Sequence, residues 1–326
     1  MAKKVLIIRF SSIGDIVLTT PVVRCLKKQF NGEIEIHYLT KSIYRSILES
    51  NPYIDCLHSF DRSISEVIPN LKKENFDAVI DLHKNIRTFL VKLKLQKKSY
   101  SFNKLNIKKW LFVNFKINTL PKVHIVDRYL ETIKQWNILN DGEGLDYFIP
   151  QKDEVNIETL PPLFHSGYIG FAIGAKFSTK ALPKEKIISI CKKINKPILL
   201  LGGKEDNQLA EEIKTEIGDN IFVACGQYNI NQSASLVKQA EKIITHDTGL
   251  MHIAAAFKKE IICIWGNTVP DFGMHPYLPI KSNQPTSIQV ADLKCRPCSK
   301  IGFAKCPKKH FNCMNKINEE QIVNLF

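Results

Sequence analysis

Short apolar runs alternate with segments of helical spacing along almost the whole chain. Val5–Phe10 (VLIIRF) is a strand-length apolar run interrupted only by Arg9, the pattern of a strand covered on both faces. Ile16–Phe30 has helical spacing, with Pro21 near its first turns, where a missing N–H is tolerated. Glu33–Leu39 alternates as a strand, Ser42–Ser50 reads as a short helix, and Asp77–Leu82 as another strand. Between residues 141 and 167 the rhythm lapses into Gly-, Pro- and acid-rich sequence, a linker signature. It restarts with strands Tyr168–Ile173, Pro197–Leu201, Ile221–Ala224, Lys242–Thr245 and Ile261–Trp265. Between them lie helices Lys184–Lys193, Asn207–Ile217, Gln232–Ala240 and Gly249–Phe257. Glu319–Phe326 reads as a terminal helix.

This alternation predicts parallel sheets with helices on both faces. The expectation is an α/β chain of two Rossmann-like, doubly wound domains at residues 1–160 and 161–326. The second carries a Cys-rich segment at 295–313 and the terminal helix. A length of 326 residues suits two domains, and 44% apolar with 24% charged residues excludes wholesale disorder. No apolar run approaches the ~18 residues of a spanning helix. The apolar start is too short for a signal peptide, so a cytoplasmic chain with reduced thiols is expected.

The net charge of +14 points to an anionic partner: a phosphate-bearing substrate, nucleic acid or an anionic membrane surface. A lysine-rich coding habit explains it equally well. The stretch 91–116 interleaves lysines with Tyr100, Phe102, Trp110, Phe112 and Phe115. Such a pattern can stack on bases, lie on a membrane interface, or form a solvated helix with its apolar face on the core.

Ligands of open parallel sheets bind beyond the carboxyl ends of the strands, and five such loops stand out. Ser11-Ser12-Ile13-Gly14-Asp15 follows the first strand; Asp15 is either a helix cap or a general base. Asp247-Thr248-Gly249 opens a helix holding His252, either a cap with a core histidine or an anion site for a diphosphate. Gly174 to Pro183 brings Lys180, a solvated lysine or a cation that meets charge on a departing phosphate. In Gly202-Gly203-Lys204-Glu205-Asp206 the acids bind ribose or cap a helix. Cys295-x2-Cys298-x7-Cys306-x6-Cys313, with His310 among them, allows a structural zinc site or plain thiols. Cys25, Cys56, Cys191, Cys225 and Cys263 read as packing residues. No Walker A loop, GxGxxG or HExxH is present, which weighs against P-loop NTPases, standard dehydrogenases and zincins.

Together, SSIGD after VLIIRF, DAVIDLH, KALP, DTGLMHIAAA, WGNTVP and the Cys-rich tail resemble glycosyltransferase family 9, the ADP-heptose:lipopolysaccharide heptosyltransferases. The resemblance covers nearly the whole chain. It implies the GT-B fold, with two Rossmann-like domains facing across a cleft. It also implies inverting transfer of heptose from ADP-heptose to a lipopolysaccharide core acceptor (lipid A-Kdo or heptose), without a catalytic metal or other cofactor. Asp15 would be the base and Lys180 the contact to the donor phosphates. Ser11, Ser12, Gly14, Glu205, Tyr228, Asp247, Thr248, Gly249, His252, Gly266 and Thr268 would surround the donor, with Tyr228 beside the adenine. His83, Lys84 and Arg87 would meet acidic groups of the acceptor. The phosphorylated lipid acceptor favours peripheral contact with the inner membrane surface over nucleic acid. The chain departs from the family pattern at Leu182, Asn267 and the pair His83-Lys84. The alternatives are a non-catalytic nucleotide-sugar or polyanion-binding protein, or a transferase using another nucleotide sugar.

Overall fold

The computed structural model describes residues 3–326, which form two compact α/β units. The first comprises residues 3–104 and 123–148, the second 105–122 and 149–326. In the first unit, β1 (Lys3–Ile8), β2 (Ile34–Lys41), β3 (Cys56–Phe60), β4 (Ala78–Asp81) and β5 (Lys98–Ser101) pair in the order β3-β2-β1-β4-β5. Every pairing is parallel. In the second, β6 (Ile169–Ala172), β7 (Ile198–Leu201), β8 (Ile221–Val223), β9 (Lys242–His246), β10 (Glu260–Trp265) and β11 (Thr286–Gln289) pair in the order β11-β10-β9-β6-β7-β8, again all parallel. This is the expected pair of doubly wound sheets.

The continuous apolar strands fill the cores. Leu6, Ile8, Leu39 and Val79 pack with Phe10, Phe60 and Phe76 in the first unit. Phe171, Leu200, Ile244, Ile262 and Ile264 pack with Met314 and Ile322 in the second. Each such side chain removed from water contributes about 1.5–3 kcal/mol.

The expected helix Ile16–Phe30 is two helices, α1 (Ile13–Val17) and α2 (Thr20–Gln29). Pro21 has no N–H for the Val17 carbonyl; the Thr20 hydroxyl donates to it instead at 2.8 Å, and the ladder stops. Ser42–Ile47 is a 3-10 turn. The stretch 91–116 is not one helix. It contains the end of α3 (Ile86–Leu95), the strand β5, and α4 (Asn106–Phe115), which belongs to the second unit.

The first unit ends at residue 148 rather than 160. Asp153 accepts from Asn229 Nδ2 (3.0 Å) and Asn231 Nδ2 (2.9 Å), and the Val155 N–H donates to Ser235 Oγ (3.0 Å). These bonds draw the Pro- and acid-rich stretch onto the second unit. Within that unit α5 (Lys184–Lys193), α6 (Asn207–Ile217), α7 (Ile230–Gln239) and α8 (Gly249–Ala256) alternate with the strands. The terminal helix is only Glu320–Val323.

Candidate functional site

Each sheet has one place where the winding reverses, and ligand crevices form there. In the first unit it lies between β1 and β4, in the second between β6 and β9.

After β1, Ser12 and Asp15 cap α1: the Ser12 hydroxyl donates to Asp15 Oδ2 at 2.9 Å, and the Ser12 N–H reaches it at 3.3 Å. Arg9 Nη2 meets Asp15 Oδ1 at 2.6 Å. The same guanidinium donates to the carbonyls of Ser11 (2.8 Å) and Leu82 (2.5 Å) and to the Tyr129 hydroxyl (3.1 Å). Arg9 is buried, while Asp15 keeps 23% of its side chain exposed. One Asp15 oxygen therefore caps α1 and the other is held by Arg9, so the capping expectation holds and the carboxylate stays part-exposed. Gly14 is buried in α1 and Ser11 lies just ahead of it.

After β4, buried Asp81 accepts from the backbone N–H groups of His83 (3.1 Å) and Lys84 (2.6 Å), and Lys92 Nζ lies 3.0 Å away. This folds the loop so that the His83 ring packs against Phe10 at 5.1 Å. Burial, then the Arg9 charge, pull the His83 pKa down to about 4. Lys84 and Arg87 are exposed, and the Arg87 guanidinium lies over the Phe10 ring at 5.6 Å. Arg9, Asp15 and His83 thus gather at one crevice, with two further cations at its rim.

In the second unit, Lys180 Nζ contacts Asp247 Oδ2 at 2.6 Å, and the Thr268 hydroxyl donates to the same oxygen at 2.9 Å. Lys180 and Asp247 each keep 15% side-chain exposure. Thr248 is the N-cap of α8, Gly249 its first residue, and His252 is buried one turn in. The free N–H groups of α8 therefore open beside a lysine, an arrangement that favours phosphate.

The Lys180 turn is held by its neighbours. The His246 ring accepts from the Leu182 N–H at 3.1 Å. The Thr179 hydroxyl donates to the Phe303 carbonyl (2.9 Å) and accepts from the Phe303 N–H (2.8 Å). Gly302, at φ +119°, approaches so closely that a Cβ would lie 2.6 Å from Phe177 Cβ; at Gly266 a Cβ would lie 2.6 Å from the Thr179 carbonyl oxygen.

At the end of β7 the carboxylate tucked under the strand ends is that of Asp206, which accepts from the Gly203 N–H at 2.8 Å. Glu205 is exposed, its carboxylate lying over Gly203. Tyr228 is half-buried in the turn after β8. The Cys-rich tail acts as a strap: the Cys298 N–H donates to the Asn267 carbonyl (3.1 Å) and Arg296 to the Thr268 carbonyl (2.9 Å). Cys295, Cys298 and Cys306 are half-buried and Cys313 is buried. Among the described residues, their sulfurs are not part of any trio of ligand atoms gathered within 4.8 Å.

Sequence reading missed Arg9, Asp81, His246 and Arg296 as positioning residues. The signal for the first was present, a charge inside an otherwise apolar strand.

The sequence profile of Glycosyltransferase family 9 (heptosyltransferase) matches residues 64–308. The chain is 26% identical to Lipopolysaccharide heptosyltransferase 1 of Campylobacter coli over 99% of this chain and 97% of that protein. The solved family 9 glycosyl transferase of Veillonella parvula superposes with a TM-score of 0.76 at 21% identity, covering 99% of this chain and 95% of that one. The E. coli ADP-heptose lps heptosyltransferase II gives 0.69 at 19% identity, covering 99% and 98%. The fold is the GT-B type expected. With its profile match spanning most of the chain, this protein belongs to glycosyltransferase family 9, the heptosyltransferase family.

Proposed function

We propose that the chain transfers a heptose from ADP-heptose to a lipopolysaccharide core acceptor, lipid A-Kdo or an existing heptose, with inversion at the anomeric carbon. The observation that carries the reading is the Asp15 carboxylate, part-exposed at the first sheet's reversal point and braced by Arg9 and Ser12. The acceptor hydroxyl gives its proton to Asp15 as its oxygen bonds to the anomeric carbon and the bond to the diphosphate oxygen breaks. One displacement needs one base, and no cofactor enters it.

The leaving diphosphate gathers charge, which Lys180 and the N–H groups at Thr248 and Gly249 would meet. Asp247 and Thr268 keep Lys180 aimed. Gly266 and Thr268 line the adjoining loop, and Glu205, Tyr228 and His252 complete the donor set. His83, Lys84 and Arg87 receive the acceptor's acidic groups. Support for the donor comes from the named ADP-heptose transferase that shares the fold.

Among the described residues no helix is long and apolar enough to cross a membrane. Helix α3 nevertheless exposes Ile86, Phe89, Leu90 and Leu93 alongside Arg87 and Lys94. That surface supports peripheral contact with the inner membrane face, where the lipid acceptor would lie, rather than with nucleic acid.

A thermal-shift series with ADP, UDP, GDP and CDP tests the donor class; ADP should raise the melting temperature most. NMR of the product should show the opposite anomer to the donor. A retained anomer, or a larger shift with another nucleotide, would overturn the corresponding part of the reading.

A further inference from the structure

At the edge of the first sheet, β2 and β3 pair with His37 opposite Cys56 and Leu39 opposite His58. Alternation along the strands puts His37, Cys56 and His58 on one face. His37 Nδ1 and His58 Nε2 are 2.8 Å apart, and Cys56 Sγ is 3.6 Å from the same His58 nitrogen. All three ligand atoms lie within 4.8 Å of one another. The other nitrogen of His37 contacts Glu35 Oε1 at 2.7 Å. Lys4 in turn contacts Glu35 (3.3 Å) and Glu74 (3.0 Å). His37 is buried, with Phe76 edge-on to its ring at 5.1 Å; Cys56 and His58 are half-buried. Cys56, expected as a packing residue, is half-buried beside the His58 ring.

We propose that His37 Nδ1, His58 Nε2 and Cys56 Sγ form a three-ligand site for a divalent ion of the zinc class, with water in the fourth position. Zn–N bonds of about 2.0–2.1 Å and a Zn–S bond of about 2.3 Å place tetrahedral N and S ligands about 3.6 Å apart and two N ligands about 3.3 Å apart. The Cys56–His58 separation already fits, and the two ring nitrogens need to part by about 0.5 Å. Glu35 supplies the carboxylate that metal-bound histidines use to fix the ring and its tautomer. The half-buried Cys56 and His58 leave the solvent side open for the water. Binding releases one proton, from the Cys56 thiol. The proton between the rings moves to the far nitrogen of His58, while His37 keeps its own toward Glu35. His37 is level with Leu6 in the register, back from the strand end that carries Asp15. The ion therefore ties the edge strand to its neighbour and takes no part in transfer.

Metal-stripped full chain is titrated with Co²⁺, then with Zn²⁺ to displace it. The expected result is one equivalent with thiolate-to-cobalt absorption that Cys56→Ser and His58→Gln abolish and the double variant Cys295→Ser, Cys298→Ser retains. Glu35→Gln should weaken it about 10- to 100-fold. Should Cys56→Ser misfold, X-ray absorption of the zinc-loaded Cys295→Ser, Cys298→Ser variant decides: one sulfur per zinc supports the site. No bound ion, a cobalt signal that survives Cys56→Ser unchanged, or zinc without sulfur overturns it.

Discussion

Arg9 Nη2 sits 2.6 Å from Asp15 Oδ1, and the same guanidinium ties down the loop ends after β1 and β4. One buried cation thus sets the position of the carboxylate and of the crevice around it. Asp15→Asn keeps the cap geometry and removes the base. Turnover should fall about 10²- to 10⁴-fold while ADP affinity, read by calorimetry, stays unchanged. Near-normal turnover would remove Asp15 from the chemistry.

Lys180→Gln tests the other unit. Losing a hydrogen bond to a charged group removes about 1.5–3 kcal/mol, so ADP affinity should drop about 10- to 150-fold. Equal affinity in the variant would show that Lys180 does no more than neutralise Asp247.

Arg24 is buried against Asp141 (2.8 Å), Asp146 and the Gly144 carbonyl (2.8 Å). Arg24→Met strands two carboxylates and should destabilise the chain by about 3–5 kcal/mol in urea unfolding. By contrast, Lys134→Ala removes an exposed pair with Glu131 and should shift stability by at most about 1 kcal/mol.

Burial holds His83 and His246 at pKa values of about 4, against 6.5 ordinarily. As pH falls below 6.5 the unfolded chain takes up these protons and the folded chain does not. Their contribution to stability is therefore complete above pH 6.5 and drains away toward pH 4, by up to about 1.4 kcal/mol per pH unit for each ring. Urea midpoints measured from pH 7.5 downward should fall in that window, and His83→Gln should flatten the fall.

Both parallel sheets could be read from the pattern, because most interior strands are continuous apolar runs; the strand orders, and with them the reversal points, came only from the fold. The strands that escaped, CLHSF, KSYS and TSIQ, are all sheet edges. An edge strand needs less apolar surface and often carries polar residues, so periodicity passes over it. Asp15, Lys180 and Asp247 were visible because each lies in the connection that leaves the carboxyl end of a strand. Arg9 and His246 were not, since their roles lie in which distant carbonyl or N–H they reach. Which of the adjacent acids Glu205 and Asp206 is the more buried could be known only from the fold.

Thr179 is fastened by Phe303, 124 residues further along the chain. While the protein is being synthesised, the turn that carries Lys180 has no finished backing until that late segment emerges from the ribosome. A nascent chain can therefore complete its first sheet well before the turn that carries Lys180 is held in place.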